Sequence, residues 1–230
     1  MKFPRVDPRI AMPLDGDRNI LFLWMPKCAG CSIRDGLWDF FGDNFGAYNH
    51  QHGNLVFKPT LRCATFYHSH VPSLVEAGWL PQSWVDRAFI FAVVRNTWAR
   101  IVSLFFYLRK MQFAALPETF DEFVDVVVAG EYPTPCFDNL LGYYQANNYL
   151  SWLRPGGVWL PDHICRFENL EQEWLDLRQL LGVPLRPLPL VNPTKHKPYQ
   201  SYYTPRTRGL ITRHFAEEID VFDFQFEEMT

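Results

Sequence analysis

Residues 20 to 37, ILFLWMPKCAGCSIRDGL, constrain the chain more than any other stretch: an unbroken apolar run, a turn holding Pro26, Ala29 and Gly30, then a segment able to start a helix. The run from Ile20 to Met25 has no polar alternation and ends at a proline, which fits a strand buried on both faces better than half of an amphipathic helix. Strand, turn and helix in this order make an anion cradle. Backbone N–H groups at a helix start lack intrahelical partners and carry the positive end of the helix dipole, so several donors converge on one anionic group. Lys27 adds a mobile charge at the mouth, Gly30 admits close backbone approach, and Ser32 adds a hydroxyl.

The rest of the chain supplies more of the same pattern. Cys63 to Tyr67, Phe89 to Val94 and Ile164 to Phe167 read as further short strands, and helices are expected at Ser32–Phe41, Ser73–Ala77, Thr97–Met111, Glu118–Ala129, Asp138–Leu150, Leu170–Leu181 and Thr204–Ile219. Residues 1–19 read as an irregular lead-in, 42–62 as a loop region, and 184–203 as a basic, proline-rich loop. Strand followed by helix, repeated, predicts an α/β protein of three layers, a P-loop-like domain whose central parallel sheet of four or five strands is covered by helices. Its ligands belong beyond the carboxyl ends of the strands, where Lys27, His70 and Arg95 fall. With 230 residues and no repeat, residues 1–230 are expected to form a single domain.

Charge narrows the ligand. The net charge is −3, yet every charged residue between Arg87 and Pro117, and again between Val183 and Ala216, is basic. All-basic blocks in a balanced chain suit a compact anionic ligand rather than a nucleic acid. The N-terminal residues lack the apolar core of a signal peptide and no run is long enough to span a bilayer, so a cytoplasmic location is expected. An odd number of cysteines, Cys28, Cys31, Cys63, Cys136 and Cys165, points to thiols rather than a disulfide framework.

The motif Pro26-Lys27-Cys28-Ala29-Gly30-Cys31-Ser32 resembles the P-K-x-x-G-x-[ST] loop by which sulfotransferases hold the 5′-phosphosulfate of PAPS, 3′-phosphoadenosine 5′-phosphosulfate. Residues 94–103, VRNTWARIVS, resemble the R-N-P-x-x-R-x-x-S segment of that family, whose arginine and serine bind the 3′-phosphate; here these are Arg95 and Ser103. Thr97 stands where the family has proline, an exchange expected to loosen the turn and leave the binding groups in place. Residues 66–71, FYHSHV, are similar to the H-x-H segment of the heparan sulfate and uronyl 2-O-sulfotransferase branch, where histidine is the general base. Residues 167–170, FENL, and the region from Asn192 to Phe226 resemble later parts of the same enzymes.

The resemblance implies sulfuryl transfer from PAPS, leaving PAP, to the hydroxyl of an acceptor, a saccharide or small metabolite, without a metal. It implies a cofactor site of Lys27, Cys28, Ala29, Gly30, Cys31, Ser32, Arg95 and Ser103, bordered by Lys195, Lys197 and Tyr203. It makes His70 the base and His68 its neighbour in acceptor positioning, with Lys27 stabilising charge on the leaving oxygen. Imidazole titrates near neutral pH, as a base for a hydroxyl requires. Alternate residues of an extended segment point the same way, so both histidines are expected to reach one cavity.

Other readings of these residues stay open. A P-loop kinase would need a Walker-type lysine and a magnesium-binding acid, and the chain lacks G-x-x-x-x-G-K-[ST]. A PAP-binding module without turnover would share the loop. Cys28-x-x-Cys31 fits a redox site, but that reading leaves Arg95, Ser103 and the paired histidines unused. His68-x-His70 with Cys63 is a possible metal set, Arg100 a possible ion-pair residue, and Glu168 reads as a helix-start acid.

Overall fold

The computed structural model describes residues 18–48, 56–112, 116–130, 148–191 and 196–227. Among these, five strands form one sheet: β1 (Asn19–Trp24), β2 (Phe45–Tyr48), β3 (Cys63–Tyr67), β4 (Ala88–Val94) and β5 (His163–Arg166). The order is β2-β3-β1-β4-β5 and every pairing is parallel. This is an α/β fold with a central parallel sheet flanked by helices. All residues of β1 and β4 are buried, which is why their sequences show no alternation.

The order places the ligand crevice. From β1 the chain passes through α1 (Gly30–Phe41) to β2 and β3 on one side. It then returns through the short helices α2 (Val71–Glu76) and α3 (Gln82–Val85) to β4 on the other side of β1, and continues through α4 (Thr97–Lys110) outward to β5. The connections leaving β1 and β4 therefore diverge between two adjacent strands, and that divergence opens a crevice at their carboxyl ends.

Local chemistry sets the remaining boundaries. Helix α5 (Phe120–Ala129) starts on a capping box of Thr119 and Glu122 and stops at Gly130, whose φ of 69° suits glycine. The short α6 (Leu150–Leu153) precedes β5; the helix expected at 138–150 lies largely outside the described residues, as do Cys136 and the lead-in 1–17. After β5 a 3-10 turn (Phe167–Asn169) leads into α7 (Leu170–Leu180). The capping box of Thr204 with Thr207, and Pro205 in the first turn, start α8 (Pro205–His214).

Two expectations differ from the structure. Part of the presumed loop 42–62 is β2, an edge strand whose four residues are too few to show a periodicity. The helix expected at 204–219 is broken at Phe215, where α9 (Ala216–Phe222) begins. The break leaves Phe215 fully buried over the guanidinium of Arg100 and sets Glu218, in the first turn of α9, beside the same group. No helix among the described residues is long and apolar enough to cross a membrane.

Candidate active site

At the end of β1 the chain makes its turn with two non-glycine residues in the left-handed region, Lys27 at φ 61° and Ala29 at φ 59°. Ala29 occupies the N-cap of α1 and offers no side-chain acceptor, so the first turn of the helix keeps its N–H groups for another partner. Gly30 is required for a packing reason. A Cβ there would lie 1.8 Å from Nε1 of Trp24, whose indole sits beneath the loop and meets Tyr67 edge-on at 5.0 Å.

Lys27 extends over the ring of Tyr107, with Nζ 3.8 Å from the centroid. Burial, and then the neighbouring Arg95, bring its pKa down to about 8. Arg95 follows β4. One guanidinium nitrogen donates to the carbonyl of Lys27 at 3.4 Å and the group stacks on Phe167 at 4.1 Å, but its Nε is buried without a hydrogen-bond partner. An orphaned donor of this kind is costly and marks a place for an acceptor.

The backbone that carries Arg95 is held from three directions. Tyr149 Oη accepts from the Arg95 amide and donates to the Arg95 carbonyl, each at 3.1 Å. The next amide, Asn96, donates to Glu168 at 2.6 Å, and the Asn96 side chain caps α4 by accepting from Ala99. Thr97 does not loosen this turn: its hydroxyl donates to Glu218 at 2.6 Å. Glu218 also accepts from the Tyr149 amide at 2.7 Å and pairs with Arg100 at 3.1 Å, both side chains fully buried. Burial disfavours the Arg100 charge, but Glu218 more than offsets this and holds its pKa above the ordinary value. Arg100 is therefore the buried anchor of α4.

A cavity of about 1190 Å³ opens here. Its wall includes Lys27, Ala29, Gly30, Cys31 and Ser32 from the loop, His68 after β3, and Arg95 and Ser103 from the β4–α4 segment. Leu188 to Val191 and His196 close one side, and Ser32 Oγ accepts from the Val191 amide at 3.1 Å. That bond leaves the Ser32 proton to be donated elsewhere.

Of the expected residues, Cys28, His70, Lys197 and Tyr203 lie apart from this wall. Cys28 is buried beneath the loop, 3.0 Å from Tyr149 Oη, and burial pushes its pKa up to about 11; neither it nor Cys31 is in a disulfide. The strand alternation that should align the two histidines ends at Tyr67. His68 turns into the left-handed region at φ 47° and its ring stacks on Tyr67, while His70 becomes the N-cap residue of α2 and packs against Trp152. Burial lowers the pKa of His70. Tyr203 is packed behind α4, its hydroxyl donating to the Trp98 carbonyl; Lys197 is exposed, and Lys195 lies outside the described residues.

Tyr149, Glu168 and Glu218 take part in the site without having been singled out for it from sequence, because each acts across a long chain separation. Glu168 is more than a helix-start acid, since it fixes the Asn96 amide and lines the cavity.

No family model matches the chain, and no curated protein matches it by sequence. Solved structures do. Mouse sulfotransferase SULT7A1, complexed with PAP, superposes with a TM-score of 0.57 over 88% of this chain and 84% of its own, at 13% identity. A sulfotransferase from Alicyclobacillus acidocaldarius gives 0.54 over 90% and 94%, at 16% identity. The chain has the fold of these sulfotransferases.

Proposed function

We propose that this protein transfers a sulfuryl group from PAPS to a hydroxyl of an acceptor, a carbohydrate or small hydroxylated metabolite. One observation carries the reading: the uncapped start of α1, Lys27, Ser103 and Arg95 with its unpartnered Nε all converge on one cavity at the divergence of β1 and β4. These donors match an anionic nucleotide in number and kind. PAPS, when bound, supplies the activated sulfuryl group and PAP as the leaving group.

In this reading the chain mainly positions and stabilises charge. The amides of Gly30 to Ser32 and the Lys27 ammonium hold the 5′ end, and Arg95 and Ser103 hold the 3′-phosphate. The segment 184–203 closes over the cofactor, supported by the place of Leu188 to Val191 and His196 in the wall, and Lys195 and Lys197 add positive charge along it. The His-x-His pair, as in the 2-O-sulfotransferase branch, supplies the base. His68, on the cavity wall, is favoured over His70, whose ring lies against Trp152.

Calorimetric titration with PAP at fixed salt tests the cofactor. Wild type should bind with micromolar affinity and Arg95→Ala should weaken it by about 2 kcal/mol, roughly thirtyfold, as expected when a charged hydrogen-bond partner is lost. Binding of ATP–magnesium in place of PAP would overturn the reading in favour of a kinase. His68→Ala should then lose turnover while keeping PAP affinity, and a larger loss in His70→Ala would reassign the base.

A further inference from the structure

A second cluster of reactive side chains lies on β5, outside the groups used above. His163 and Cys165 are alternate residues of this strand and share a face, which the first turn of α7 covers with Glu173. All three are buried, at 2%, 1% and 4% exposure. A ring nitrogen of His163, the Cys165 sulfur and a carboxyl oxygen of Glu173 lie within 4.8 Å of one another.

We propose that His163, Cys165 and Glu173 form a binding site for a divalent transition metal, with zinc the favoured ion. The ligand chemistry selects it: one imidazole, one thiolate and one carboxylate are the nitrogen, sulfur and oxygen donors that zinc accepts together, whereas magnesium and calcium require oxygen alone. The charge balances, because a thiolate and a carboxylate neutralise a dication in a place where an uncompensated charge is expensive. Ligand atoms around tetrahedral zinc stand about 3.3–3.8 Å apart, so binding closes the widest pair of these ligand atoms by about 1.5 Å at most. Two come from a strand paired with β4 and the third from a helix packed on it, so the ion fastens the start of α7 to the edge of the sheet. Glu173 also contributes to the cavity wall, which provides an entry path and a source of water for the fourth position.

On binding, the Cys165 thiol loses its proton to solvent and the sulfur becomes a ligand; no oxidant or reductant takes part. The test is a zinc titration of the reduced full-length chain against a chromogenic chelator, with cobalt as a spectroscopic substitute. One equivalent should bind, and the cobalt form should show intense visible bands of tetrahedral geometry with a thiolate-to-metal charge-transfer band. Cys165→Ser should abolish the charge-transfer band and weaken zinc by more than roughly 100-fold, beyond what loss of an outer-sphere partner causes. Glu173→Gln should weaken it comparably, and Cys31→Ser should leave it unchanged. Absence of the charge-transfer band in the wild type overturns the proposal whether or not the variants fold. So does zinc binding that survives both Cys165→Ser and Glu173→Gln. None of these readouts depends on whether the protein binds PAP.

Discussion

The two strand-to-helix junctions at the cavity, β1 to α1 and β4 to α4, have the same course and opposite treatment of the helix start. The first ends in Ala29, which caps nothing, and its turn passes through two left-handed residues. The second is capped by Asn96 and fixed by Tyr149, Glu168 and Glu218. The first junction keeps its backbone donors for a ligand, while the second spends them on the protein and presents only the side chains of Arg95 and Ser103. In the proposed reading the first junction binds the cofactor and the second holds position. The division implies that damage to the first junction costs affinity and damage to the second costs stability.

The largest effect is expected at Glu218. Glu218→Gln keeps one carbonyl oxygen, enough for either Thr97 or the Tyr149 amide, sets an NH2 group toward the other, and takes the Glu218 carboxylate away from the buried Arg100 charge, a change that typically costs about 3–5 kcal/mol. Urea denaturation measures it. Replacing Arg100 with Met in the same chain should recover part of the loss, because removing both charges is far cheaper than removing one. Lys27→Ala should cost little stability by comparison. If it destabilised the fold as much as Glu218→Gln, the division between binding and holding would fail.

Two glycines of α1 sharpen the contrast at smaller scale. Gly30→Ala would drive a methyl group into the Trp24 indole under the loop, and Gly36→Ala would place one 2.6 Å from the Trp174 ring. Both should cost stability of the order of 1–3 kcal/mol, the usual range for overpacking. Only Gly30→Ala should also reduce PAP affinity, because Trp24 supports the turn that carries Lys27. Calorimetry on the two variants, beside their urea curves, separates loop geometry from general packing.

Much of this was legible in local sequence. The strand at Cys63–Tyr67 and the helix start at Thr204-Pro205 stand where apolar runs and capping chemistry place them. The loop and the Arg95–Ser103 segment do converge on one cavity, since a parallel sheet brings the carboxyl ends of its strands together. The supporting groups were not legible, because they meet across the chain: Tyr149 reaches Arg95 over 54 positions and Glu218 reaches Thr97 over 121. Thr97 shows the consequence. Set against a proline pattern it reads as a loss, yet its hydroxyl is one of the bonds fixing the junction, and its partner in α9 carries no local sign of the pairing. His68 shows another: an isolated left-handed residue has no periodicity, and it ends the strand geometry on which the alignment of His68 with His70 depended.

The smallest predicted effect bears on Lys27, the one residue of the first junction that carries a full charge. Burial and Arg95 hold its pKa near 8, against 10.5 for an ordinary lysine, so its charge is already being lost in mildly alkaline solution. A bound anion favours the protonated form and raises that pKa, so binding above neutrality takes up a proton. PAP affinity should therefore be greatest below about pH 7 and fall about tenfold by about pH 9, close to one pKa unit or about 1.4 kcal/mol. Calorimetry in buffers of different ionisation enthalpy should detect the proton uptake directly. Lys27→Met should bind more weakly at neutral pH and lose both the slope and the uptake, whereas Arg95→Ala should keep a proton uptake, shifted to higher pH because the nearby positive charge is gone. A flat profile in the wild type would mean either that Lys27 keeps its charge over the ring of Tyr107 throughout this range or that the first junction binds through its backbone amides alone, and Lys27→Met separates the two by weakening PAP binding at neutral pH only in the first case.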